Sequence, residues 1–182
     1  MTTTDDRAEP TGDTAVVDVP TVAPAVPAAT DPATPAGDGG AARFGQAADA
    51  GPRPHLCDVL IADDSGPSRE ILSAILRNFV TGLQLAEARN GLDALQSWED
   101  LNPRITMLDL DMPGLDGLAS LQRIRAADPG AFVAIVSGSS SPDNVRKALE
   151  LGASGFVVKP YKPQRILDVL ERYAKLTGKT LG

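Results

Sequence analysis

Five short apolar runs, each followed by a segment of helical periodicity, constrain this chain more than any other feature. Residues 56–62 (LCDVLIA) form the first run and stop at Asp63-Asp64, the pattern of a strand buried on both faces. Ser65 then opens a helix with Pro67 in its first turn; Ile71, Leu72, Ile75, Leu76 and Phe79 recur at helical spacing until Gly82. Further strands are expected at 83–86, 105–110, 131–136 and 156–158. Helices are expected at 91–98, with Leu92, Leu95 and Trp98 on one face, and at 117–127, 142–151 and 163–176.

Strand and helix alternate five times with short links. That pattern implies a five-stranded parallel sheet with right-handed crossovers and helices on both faces. The expected class is α/β, flavodoxin-like, with strand order 2-1-3-4-5.

Upstream of His55 the texture differs. Residues 1–54 are rich in Ala, Pro, Gly, Thr and Asp, with Phe44 the single aromatic and prolines at 10, 20, 24, 27, 32 and 35 breaking any helix. Such a segment cannot bury enough apolar surface to offset its ordering entropy, so a disordered tail is expected at 1–54 and a folded domain at 55–182. The tail holds eight acidic residues against three arginines, a net of −5 out of −7 for the chain. A second reading makes residues 41–45 (AARFG), with one Arg and one Phe, a partner-binding peptide.

Charge and composition exclude several classes. A net charge of −7 without a basic cluster argues against a nucleic-acid binder. Cys57 is the sole cysteine, so neither an internal disulfide nor a cysteine-rich metal site can form. No apolar run approaches the roughly 18 residues of a membrane span, and the N-terminus lacks a signal-peptide pattern. A cytoplasmic protein with no membrane partner is expected.

In an open α/β sheet, ligands bind beyond the carboxyl ends of the strands where strand order reverses. For order 2-1-3-4-5 this point lies between the first and third strands. It receives Asp63 and Asp64 after the first strand, Asp109 and Asp111 at the end of the third, Ser137 from the fourth and Lys159 from the fifth. Converging carboxylates repel one another unless their pKa values rise or a cation binds. Hard oxygen donors with no nearby His or Cys suit Mg²⁺. A cation, an ammonium and a hydroxyl around a carboxylate suit phosphoryl transfer, in which charge spreads over the equatorial oxygens. Aspartate can serve as the covalent nucleophile, and Gly138 leaves room for the entering group.

Asp63-Asp64, the run at 107–117 (MLDLDMPGLDG), Ser137-Gly138 and the run at 155–160 (GFVVKP) together resemble the receiver domain of response regulators, in particular the single-domain chemotaxis type. The resemblance covers about two-thirds of the chain, in the family's order. It implies that Asp109 is the phosphoacceptor, that Asp64 and Asp109 are side-chain Mg²⁺ ligands, and that Asp63 assists through a water. It further implies that Asp111 offers a backbone carbonyl, that Ser137 and Lys159 contact the phosphoryl group, and that Ser137 and Phe156 act as the switch. A cis Lys159-Pro160 bond is also implied. His55, the only histidine, reads as a bystander, so a phosphohistidine donor must be another protein.

The resulting expectation is a stand-alone response regulator, not an enzyme beyond its own phosphorylation and dephosphorylation. Its expected partners are a histidine kinase or phosphotransfer protein and a downstream protein bound on the face of the fourth helix, fifth strand and fifth helix. No output domain is expected after Gly182. Two alternatives are a non-phosphorylated interaction module of the same fold and a DxD-type phosphatase built on Asp109-Leu110-Asp111. In such phosphatases that motif follows the first strand and the metal-binding acid pair comes late, the reverse of the order here.

Overall fold

The computed structural model describes residues 53–181. The expected tail at 1–54, with its alternative peptide at 41–45, lies outside the described residues except for Arg53 and Pro54. Ten elements alternate: β1 (Val59–Ala62), α1 (Gly66–Phe79), β2 (Leu85–Ala88), α2 (Gly91–Leu101), β3 (Ile105–Leu108), α3 (Gly117–Ala127), β4 (Val133–Ser137), α4 (Pro142–Glu150), β5 (Gly155–Val158) and α5 (Pro163–Thr177). The strands are all parallel, in the order β2-β1-β3-β4-β5. The flavodoxin-like expectation is met.

Two apolar cores sandwich the sheet. Alternate strand residues Leu60, Leu108 and Ile135 pack with Leu95, Trp98, Leu121 and Ile124 from α2 and α3. Their neighbours Val59, Ile61, Met107 and Ala134 pack with Leu72, Leu76, Ile166 and Tyr173 from α1 and α5. β1, β3 and β4 are buried along their whole length, which explains why they read as continuous apolar runs rather than alternating ones.

The differences from expectation have local causes. Strand β2 lies at Leu85–Ala88 instead of 83–86, because it is an edge strand whose Glu87 reads as loop but takes part in the ladder opposite Ile61. Leu83 is buried but precedes the strand. In α2 the buried set is Gly91, Ala94, Leu95 and Trp98, at helical i, i+3, i+4, i+7 spacing, so Leu92 is turned out and 61% exposed. Ile71 and Phe79 of α1 are likewise exposed, leaving Leu72 and Leu76 to face the core. β1 begins at Val59 instead of residue 56, and Leu56 is exposed.

Caps fix the helices that frame the sheet edge. Asn90, Asp116 and Ser141 accept backbone hydrogen bonds at the starts of α2, α3 and α4. Gly117 has a tighter constraint. A Cβ there would collide with the Asp109 carbonyl oxygen and come within 2.7 Å of the Leu110 Cα. The start of α3 thus rests directly on the backbone that carries Asp109.

Candidate functional site

The carboxyl ends of β1, β3, β4 and β5 deliver the polar residues to one edge. Asp63 follows β1 and Asp109 follows β3; in spite of their charge they are only 3% and 5% exposed. Asp64 is exposed beside them. Carboxylate oxygens of Asp63, Asp64 and Asp109 all lie within 4.8 Å of one another. Strand pairing explains the approach. Ala62 pairs with Leu108, and the Asp109 amide donates to the Ala62 carbonyl at 2.8 Å.

Lys159 enters from the end of β5, its side chain 18% exposed. Its Nζ donates to Asp63 Oδ2 at 2.6 Å and to Asp109 Oδ2 at 2.9 Å. The other carboxylate oxygens take backbone amides: Ser65 donates to Asp63 Oδ1 at 2.9 Å, and Leu110 to Asp109 Oδ1 at 2.7 Å. Burial alone pushes the Lys159 ammonium toward losing its proton. The hydrogen bonds and negative charges of Asp63 and Asp109 together outweigh that, holding its pKa above the ordinary lysine value.

Ser137 closes β4 and is fully buried. Its Oγ accepts the Ser139 amide at 3.0 Å and lies 3.4 Å from Asp111 Oδ2, a long contact with an exposed side chain. Among the described residues Asp111 is outside the three-carboxylate group, so its side chain and that of Asp109 face different neighbours. A Cβ at Gly138 would meet nothing within 4 Å, so the space beside Ser137 is open. Phe156 is partly buried against the core shared by α2 and α3. The Lys159-Pro160 bond is cis. His55 is remote in role, its Nδ1 donating to the Asn102 carbonyl at 2.7 Å near the start of the fold.

The three carboxylates present only hard oxygen donors, two of them paired with the Lys159 ammonium, a set that fits Mg²⁺ better than a softer metal. Three contributors escaped the sequence reading. Arg69 donates to the Asp63 carbonyl at 2.8 Å, Glu87 pairs with Arg69, and Ser73 donates to Glu87. Their positions on α1 and β2 carry no motif; only strand register brings them together. The sequence places Gly117 at a helix start; its contact with the Asp109 backbone depends on tertiary packing.

Residues 59–171 match the response regulator receiver domain. This chain belongs to that family. The receiver domain is 38% identical over 120 residues to the chemotaxis protein CheY of Listeria monocytogenes, covering 66% of this chain and 100% of that protein. It is 33% identical over 118 residues to the CheY of Thermotoga maritima, covering 64% and 97%. Among solved structures it resembles the receiver domain of NtrX from Brucella abortus, with a TM-score of 0.61, 32% identity and coverage of 66% and 100%. It also resembles a chain of the CheX–CheY–BeF3–Mg²⁺ complex from Borrelia burgdorferi, with a TM-score of 0.60, 29% identity and coverage of 68% and 90%. The family places the chain in two-component phosphorelay signalling. No helix among the described residues is long and apolar enough to cross a membrane.

Proposed function

We propose that this receiver domain is a cytoplasmic response regulator that accepts a phosphoryl group on Asp109. The observation that carries the reading is the buried Asp109 carboxylate, 2.9 Å from Lys159 Nζ and grouped with Asp63 and Asp64. A carboxylate in that setting is oriented on both oxygens, by the Leu110 amide and by the ammonium.

In the proposed reaction an Asp109 oxygen forms a bond to phosphorus as the P–N bond of a partner's phosphohistidine breaks. The electron pair of that bond leaves with the imidazole nitrogen, which then takes up a proton. Asp64 and Asp109 would hold Mg²⁺ directly, with Asp63 acting through water and Asp111 through its carbonyl. Bound there, the ion would neutralise charge building on the phosphoryl oxygens. Lys159 and the Ser137 hydroxyl stabilise the remaining oxygens. The chain itself is a stoichiometric carrier, not an enzyme acting on outside substrates.

The output follows from differential contact. A phosphoryl group adds charge and strong acceptors, which Ser137 and Lys159 meet better in one conformation. Phe156, next but two before Lys159 and only partly packed, turns toward the space vacated by Ser137, and the face of α4, β5 and α5 changes for a downstream protein. Partners of this reading are a histidine kinase or phosphotransfer protein upstream and a target such as the CheX seen with the Borrelia CheY. Residues 1–54 serve as an acidic tail or linker outside the receiver domain, 55–182.

The test is intact mass after incubation with a small-molecule phosphodonor, with and without Mg²⁺, beside Asp109→Asn. One phosphoryl group gained, dependent on Mg²⁺ and absent from the variant, is expected. No gain where a control receiver is labelled would instead favour a non-phosphorylated interaction module.

A further inference from the structure

Every polar backbone and side-chain group of Asp63 has a partner. Its carboxylate takes Lys159 on one oxygen and the Ser65 amide on the other, and its own amide donates to the Ala88 carbonyl at 3.2 Å. The fourth anchor comes from outside the carboxylate cluster. Arg69, in the first turns of α1 and only 11% exposed at its side chain, donates from Nη1 to the Asp63 carbonyl at 2.8 Å.

The same guanidinium donates from Nε to Glu87 Oε2 on β2 at 3.2 Å. Ser73, one turn further along α1, donates to Glu87 Oε1 at 3.0 Å. Glu87 pairs in register with Ile61, which packs in the core shared with α1, so its side chain leaves the sheet on the α1 face. One planar group therefore ties the acidic loop, the first helix and the edge strand together. Two N–H groups at a fixed angle do this at once, which a lysine ammonium on a flexible stem does not reproduce.

We propose that Arg69, braced by Glu87 and Ser73, is a positioning residue that sets the Asp63-Asp64 loop for metal binding. The proposal deepens the phosphoacceptor reading and rests on it. Outer groups that orient ligating side chains are worth about 10–100-fold in metal affinity.

Position and charge act in opposite directions here, which makes the idea testable. A guanidinium near the site opposes a bound cation, and Glu87 offsets most of that charge. Removing Arg69 leaves Glu87 uncompensated, so a purely electrostatic role would tighten Mg²⁺ binding. A positioning role weakens it.

The experiment is a Mg²⁺ titration of the full chain followed by amide NMR, for wild type, Arg69→Lys, Arg69→Met, Glu87→Gln and Ser73→Ala. Phosphorylation by acetyl phosphate is measured in parallel. Arg69→Lys and Arg69→Met should weaken Mg²⁺ binding by about 10-fold. Glu87→Gln and Ser73→Ala should follow in the same direction by less. At saturating Mg²⁺ the variants should reach the wild-type phosphorylation rate, because none of these residues touches the reacting atoms. Wild-type affinity in Arg69→Lys, or tighter binding in Arg69→Met, overturns the proposal. Should the Arg69 variants fail to fold, Ser73→Ala decides, since it removes the hydrogen bond to Glu87 without changing any charge; unchanged affinity there overturns it equally. A wild type that takes up neither Mg²⁺ nor phosphoryl group ends the functional reading itself. A wild type that takes up both beside unaltered variants ends only the brace.

Discussion

The two ends of the β-sheet carry charge in different ways. At the amino end, Asp58 meets Arg104 at 3.2 Å and accepts the Gln84 amide at 2.9 Å, one negative charge against one positive. Nearby, Asn102 donates to the Arg53 carbonyl at 2.8 Å, and Arg53 lies 5.5 Å over the Trp98 ring. These contacts clamp strand starts and the incoming chain. At the carboxyl end, three carboxylates lie together among the described residues, the Lys159 ammonium pairs with two of them, Asp63 and Asp109, and those two are more than nine-tenths buried. The residue types are alike at both ends. Balance and burial separate an architectural pair from a site with unspent negative charge, which a cation or a phosphoryl-transfer reaction can use.

If this contrast holds, substitutions at the two ends should differ in kind. The largest effect is expected from Lys159→Met, which removes the ammonium paired with the Asp63 and Asp109 carboxylates. Phosphorylation from a small-molecule donor should slow by about 10²–10³-fold, read by quenched mass spectrometry. The same variant should alter stability against pH. The pKa of Lys159 is raised in the folded state, so its contribution is fully present below the ordinary lysine value of 10.5 and is lost as pH rises through the higher folded value. Urea midpoints above pH 10.5 should therefore fall more steeply in wild type than in the variant.

Next in size, Mg²⁺ should stabilise the wild-type fold by linkage, about 2.7 kcal/mol at a concentration 100 times its Kd. Asp109→Asn should lose most of that gain in thermal melts, because it removes one carboxylate of the group proposed to hold the ion. Gly117→Ala should cost about 1–3 kcal/mol in urea unfolding by driving a methyl into the Asp109 backbone, and should slow phosphorylation as well. An effect on stability alone would show that the α3 contact supports the fold without aligning Asp109. The smallest effect belongs to the amino end. Arg104→Ala should cost about 0.2–1 kcal/mol and leave phosphorylation unchanged; a slowed reaction would erase the distinction between the two ends.

Much of this was legible in the residues alone. The class, the strand order and the meeting of Asp63, Asp64, Asp109 and Lys159 follow from apolar runs that end in polar residues, because a parallel sheet sends every strand's carboxyl end to the same edge, where Ser137 closes β4. Strand bounds and the facing of Leu92, Ile71 and Phe79 did not follow, since an apolar residue one step off a helix's buried stripe carries the same letter as one on it. The tertiary structure alone decided that Asp111 meets Ser137 and lies outside the three-carboxylate group, that Gly117 presses on the Asp109 backbone, and that Arg69 joins the Asp63 carbonyl to Glu87 and, through it, Ser73. Those contacts join residues distant in the chain through strand register and helix packing. Periodicity in a sequence reports which way a residue faces within its own element, and says nothing of which partner waits across the gap.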